Sequence, residues 1–191
     1  MKTGFMATLM GAMLIFTSCS KDEAVTVNSY STKLLSYPSG SGTKNAFISL
    51  ADGHVYDAKE ASTSVASWDF GYYALGTASG GAHLASTHAF PSLIFDVWVA
   101  AGLDYSAPLN KCYFHLSTKT VADFNAIATP SDLDYISVEA TSANERVKDL
   151  VVGSTVELVK ENGKKGLIKV TDVNITQDAT GYIKMDIKVQ P

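Results

Sequence analysis

Residues 165–175 (KGLIKVTDVNI) and 181–190 (GYIKMDIKVQ) decide the fold. In the second stretch Ile183, Met185, Ile187 and Val189 alternate with Lys184, Asp186, Lys188 and Gln190. A two-residue period puts the apolar set on one face and the polar set on the other, the mark of a strand with one buried and one wet face. Residues 155–160 (TVELVK) supply a third strand. ENGK (161–164) and QDATG (177–181) join the three by turn chemistry. The end of the chain therefore reads as an antiparallel meander.

Working toward the amino terminus, NAFISL (45–50) is β-like and ADGH (51–54) is a turn signal. Asp57, with Glu60 three residues on, is placed to cap a short helix. WDFGYYAL (68–75) reads as an aromatic strand. By the same period, Trp68, Phe70 and Tyr72 share one face, and Asp69, Gly71 and Tyr73 the other. GTASGGAH (76–83) is a loop. PSLIFDVWVA (91–100) and KCYFHLS (111–117) are further strands, and ANERVKDL (143–150) is a helical turn. The best helical pattern is TKTVADFNAIA (118–128), with Val121, Phe124 and Ile127/Ala128 on one stripe. No internal repeat suggests a solenoid or propeller. The expected fold is mainly β: a single antiparallel β domain over residues 45–191 with one or two short helices.

The amino terminus reads differently. Lys2 precedes a nearly unbroken apolar run from Phe5 to Phe16, the length of a secretory core and too short to span a bilayer. Then comes IFTSCSKDE (15–23), in which a bulky apolar residue and two small ones precede Cys19. This resembles a bacterial lipobox, and the residue type has a chemical reason: a thiol can be alkylated with a diacylglyceryl group. Residues 1–18 are expected to be a lipoprotein signal peptide, Cys19 the lipidated residue, and 19–44 a flexible tether, although KLLSY (33–37) can add an edge strand. Lys21, Asp22 and Glu23 resemble the export signal that sends lipoproteins of Gram-negative anaerobes to the outer face of the outer membrane. The expected location is the bacterial outer membrane, lipid-anchored, facing the exterior.

The 191-residue chain carries a net charge of −4 and no Lys/Arg cluster, which argues against nucleic acid as a partner. Apart from Cys19, Cys112 is the sole cysteine, so the fold must stand on its core rather than on a disulfide. No phosphate loop, dinucleotide fingerprint, zincin helix or nucleophile elbow occurs, so no enzyme is expected and no catalytic residue is assigned. The histidines are His54, His83, His88 and His115. None has cysteine or carboxylate at metal-ligand spacing, so no metal site is expected. Asp69, between two aromatics, is read as an acceptor for loop amides or as the partner of a cation.

AFISLADGHVY (46–56), SWDFGYY (67–73) and SGGAHLAS (79–86), in that order behind a lipobox, resemble the HmuY-like haem-binding surface lipoproteins. The resemblance covers about residues 45–90. It places the family's Trp-Asp on Trp68 and Asp69 and its glycine pair on Gly80 and Gly81. It implies an all-β fold with a haem pocket open to one side. His83, His88 and His115 are the nearest candidates for haem or ligand binding, and none lies on a matched ligand motif. The functional expectation is a surface lipoprotein that binds a small apolar or planar ligand, with haem as the family's example, and hands it to an outer-membrane transporter. The alternative is an adhesion, glycan-binding or assembly lipoprotein without a small-molecule pocket.

Overall fold

The alternating stretches at the end of the chain form the centre of one of two five-stranded antiparallel sheets. The computed structural model describes residues 25–37, 45–57, 60–61, 66–75, 81–89, 110–178 and 180–191. Sheet I has the order β1 (Asn28–Ser36), β10 (Tyr182–Val189), β9 (Lys165–Asn174), β8 (Thr155–Lys160), β6 (Cys112–Leu116). Sheet II has the order β3 (Val55–Asp57), β2 (Asn45–Ile48), β4 (Phe70–Ala74), β5 (Ala82–Ser86), β7 (Arg146–Val147). The fold is mainly β, in a single β domain.

The two sheets pack face to face. Their shared core takes Ile183, Met185, Ile187 and Val189 from β10, Ile168 and Val170 from β9, and Val156 and Leu158 from β8. Opposite these sit Ile48, Phe70, Tyr72, Leu84 and Val147 of sheet II. Phe70 and Phe114 meet edge to face across the interface at 5.5 Å between ring centroids. Each fully buried Leu, Ile or Phe side chain contributes about 1.5–3 kcal/mol, so this core is the main source of stability.

Each sheet also has a covered outer face. On sheet I, Phe124, Ile127, Leu133 and Ile136 cluster over Leu167. Phe124 comes from the helix Val121–Ala126, Ile127 is its C-cap, Leu133 ends the 3-10 turn Pro130–Leu133, and Ile136 follows that turn. The helix starts with a capping box: Thr120 Oγ1 accepts from the Asp123 amide, and Asp123 Oδ2 accepts from the Thr120 amide at 2.7 Å. Lys188 Nζ donates to the carbonyls of Asn125 and Ile127 and so closes its other end. On sheet II, Ala46, Phe47, Tyr56, Ala61, Trp68, Tyr73 and Ala85 form a second aromatic cluster.

Several sequence expectations change in position. The sheet begins at Asn28, inside the stretch read as tether, and the edge strand admitted at KLLSY is part of β1. Its Leu35 is fully buried. Trp68 does not share a face with Phe70 and Tyr72. The strand starts at Phe70, so the two-residue period does not yet hold at Trp68, which turns to the outer cluster. β5 lies where only a loop and a pair of histidines were read. Residues 143–150 give a 3-10 turn, Ser142–Glu145, and then the two-residue strand β7. Asp57 Oδ1 accepts from the Glu60 amide at 2.7 Å, and Glu60 and Ala61 are helical. The signal segment, Cys19, the SKDE run, Gly80 and the strand read at 91–100 lie outside the described residues.

Candidate functional site

The three candidate histidines lie in three environments. His83 is on β5, where Ala82 and Leu84 point into the shared core, so His83 faces out from sheet II. It is buried there and stacks on Tyr73, its register partner, at 4.6 Å and 17° between planes. His115 is exposed on the outer face of sheet I, opposite Glu157 on β8. His83 and His115 thus lie on opposite outer faces of a sandwich whose sheets are about 10 Å apart, too far to bind one ion together. His88 sits in the 3-10 turn Thr87–Ala89, with its side chain 57% exposed and Nδ1 3.0 Å from Glu145 Oε2.

Ser86 Oγ donates to the same Glu145 oxygen at 3.1 Å. Serine, histidine and carboxylate are therefore together, but the carboxylate lies between the other two. A nucleophilic serine needs the histidine as its own neighbour. Here both side chains instead satisfy a buried carboxylate and join the turn after β5 to the turn before β7.

Trp68 and Asp69 hold the start of β4. The Trp68 indole donates to the Ala61 carbonyl and packs on Phe47 at 4.6 Å. Asp69 Oδ2 accepts from the Leu50 amide at 2.6 Å, and Oδ1 pairs with Lys160 Nζ at 2.9 Å. Both roles read from the sequence, amide acceptor and cation partner, are thus filled by one residue that ties the two sheets together. Cys112 is buried beside this pair. Burial pushes its thiol well above the ordinary range, and the charge of Asp69 acts the same way, so it is a packing residue rather than a nucleophile.

The strand registers separate two ends of the sandwich. At one end Asn28 meets Val189, which meets Gly166, and Lys160 meets Cys112. At the other, Ser36 meets Tyr182, which meets Asn174, and Ala74 meets Ala82. This second end carries an open apolar cleft of about 210 Å³, lined by Gly81, Ala82, Asp149, Leu150, Val151 and Ile175. Gly81 is at φ +62°, where glycine is at ease, and its carbonyl accepts from the Leu75 amide at 2.8 Å. Leu150 donates its amide to the Ala82 carbonyl, which fixes the 149–151 wall against β5. On the rim, Val151 and Val152 are 61% and 60% exposed.

None of these cleft residues except Gly81 stood out in the sequence. The one signal was two valines outside any alternating pattern, directly before Gly153-Ser154. A strand would have buried one of the two, whereas a turn exposes both.

The described residues define a class of architecture, a two-sheet antiparallel β domain with an apolar cleft at one end. No family model, no curated protein and no solved structure matches the chain. Among the described residues no group of three or more His, Cys, Asp or Glu side chains could hold a metal ion, and no helix is long and apolar enough to cross a membrane.

Proposed function

We propose that this chain is a lipid-anchored binding protein of the bacterial outer-membrane surface, taking a small apolar or planar ligand at the cleft between Gly81, Leu150 and Ile175. The observation that carries the reading is the position of that cleft. A chain anchored at Cys19 enters the sandwich at Asn28, with at most about 30 Å of tether between them. The apolar cleft lies at the opposite end, one strand length or roughly 25 Å further out. It would face away from the membrane, where a ligand arrives.

The ligand class follows from the lining. Leu150, Val151, Ala82 and Ile175 offer carbon surface. The volume is below the ~300–1,000 Å³ that encloses a drug-sized molecule, so a larger planar ligand would seat one edge. For haem, taken as cargo, the described residues offer an apolar seat with no histidine in it. The reading therefore covers contact with the porphyrin and not coordination of its iron. Passage to an outer-membrane transporter is the expected fate of such cargo. Binding rather than catalysis is favoured because the serine, histidine and carboxylate in contact are arranged as a structural tie.

The test is titration with haemin. A saturable change in the Soret band at micromolar haemin is expected, weakened by Val151→Asp. No change would remove the haem version. No response to an anilinonaphthalene dye as well would remove the apolar-ligand reading. One observation favours the alternative, an adhesion or assembly role: Val152 is 60% exposed beside the cleft and does not line it. Under that reading, Val152→Asp would abolish binding to a macromolecular partner while small probes gave no signal.

A further inference from the structure

A second cleft lies at the opposite end, where the chain from Cys19 enters, and nothing in the apolar-ligand reading uses it. It measures about 240 Å³ and is lined by Asp69, Asn110, Lys111, Lys160, Glu161 and Asn162. Its floor is the ion pair of Asp69 and Lys160, 2% and 17% exposed, at 2.9 Å. Its rim is the looser pair of Lys111 Nζ and Glu161 Oε1 at 3.8 Å. Asn110 is fixed in the wall by two hydrogen bonds from Nδ2, to the carbonyls of Ala66 and Trp68, each 2.9 Å. These two bonds commit the Nδ2 donors of Asn110 to the protein. Asn162 is held in the β8–β9 turn by accepting from the Lys164 amide at 3.2 Å. The turn is set by Gly163 at φ +84°.

We infer that this polar cleft binds a neutral polyhydroxylated ligand, one sugar ring in size. Three properties of the lining select that chemistry. The cleft holds two cations and two anions, so a ligand with net charge would leave a charge unbalanced next to buried Asp69. An apolar ligand would strip water from two ammonium groups and a carboxylate and return no hydrogen bonds. A ring bearing neighbouring hydroxyls both donates and accepts, and the cleft offers the ammonium groups of Lys111 and Lys160 as donors beside the exposed Glu161 carboxylate as acceptor. Such charge-assisted bonds are the stronger kind. No aromatic face lines the cleft among the described residues, so affinity should be millimolar, with little contribution from stacking.

The test uses the full-length chain, ¹⁵N-labelled, in detergent micelles, titrated with the methyl glycosides of glucose, galactose and mannose. Acetate and ethylammonium serve as charged controls. Saturable shifts at the amides of Lys111, Lys160, Glu161 and Asn162 are expected with at least one glycoside at millimolar concentration. The controls should not saturate. Combined Lys111→Met and Asn162→Ala, both rim changes, should weaken the effect about tenfold or more while the rest of the spectrum is unchanged. Three flat titrations would overturn the inference. So would saturation by acetate, or a rim variant that binds as the parent does. Amides of Ala82 and Leu150 report the other cleft in the same spectra, so the two readings fail separately.

Discussion

Asp69 joins the sheets, and its replacement has a computable cost. Asp69→Ala would leave the Leu50 amide without its 2.6 Å acceptor and Lys160 without its 2.9 Å partner. Removing one member of a buried pair costs about 3–5 kcal/mol. The lower end applies here, because Lys160 lines an open cleft and its flexible stem can carry the ammonium into water. An unsatisfied buried amide adds about 1 kcal/mol or more. The total is about 4 kcal/mol, a large share of the ~5–15 kcal/mol that holds a domain folded. For a chain of this size that lowers Tm by roughly 8–16 °C. Asp69→Asn keeps an acceptor for Leu50 and should cost about 2–3 kcal/mol. Lys160→Met alone leaves a carboxylate buried without its cation, a loss of about 3 kcal/mol or more. Combined with Asp69→Asn it should restore part of that loss, since no orphaned charge remains. Urea unfolding of the chain lacking residues 1–20, at constant m, measures all four. An Asp69→Ala loss below about 1 kcal/mol would refute the reasoning, as would a double variant no more stable than either single one.

Cys19→Ala should abolish metabolic labelling with a palmitate analogue and leave the precursor uncleaved. Alanines at Lys21, Asp22 and Glu23 should keep the label but reduce protease shaving of whole cells, and unchanged shaving would make that run a plain tether. Gly53→Ala should destabilise by about 2 kcal/mol or more, read by urea midpoint: Gly53 is at φ +72°, and a Cβ there would collide with the Tyr30 ring. Amides of Thr120, and of Thr129 and Ala128, hold the carboxyls of Asp123 and Asp132 below the ordinary range. A depressed folded pKa gives stability that is present above the unfolded value near ~4 and lost as pH falls through the folded one. The helical layer on sheet I should therefore loosen below about pH 4, seen as faster amide exchange at Phe124 and Ile127. Asp132→Asn should flatten that response, and an unchanged acid profile would count against it.

The meander was legible because a two-residue alternation with turns at both ends has one physical reading, whereas its register, which shifts between Lys184 and Met185, was not. The same rule failed at Trp68, which precedes the strand and turns outward to bond the Ala61 carbonyl and pack on Phe47. β5 escaped because AHLAS mixes His83 and Ser86 with small residues and shows no apolar alternation, although all five residues are buried; a strand covered on both sides looks like a loop until its neighbours are known. Asp69 was legible in role but not in partner, since Lys160 is distant in sequence and adjacent only after the sheets pack. The apolar cleft was the least legible. It is assembled from the start of β5, the segment 149–151 and the residue after β9, and its sequence marks were only Gly81 and the valine pair 151–152.

The proposed ligand seat lies at the end of the sandwich farthest from Asn28. The most direct measurement is methyl NMR of the Ile-, Leu- and Val-labelled chain during titration with haemin. Saturable changes are expected at Leu150, Val151 and Ile175, with Ile127 and Leu133 on the outer face of sheet I unmoved. Changes centred on Ile127 and Leu133, or none at any methyl, would overturn the apolar-ligand reading.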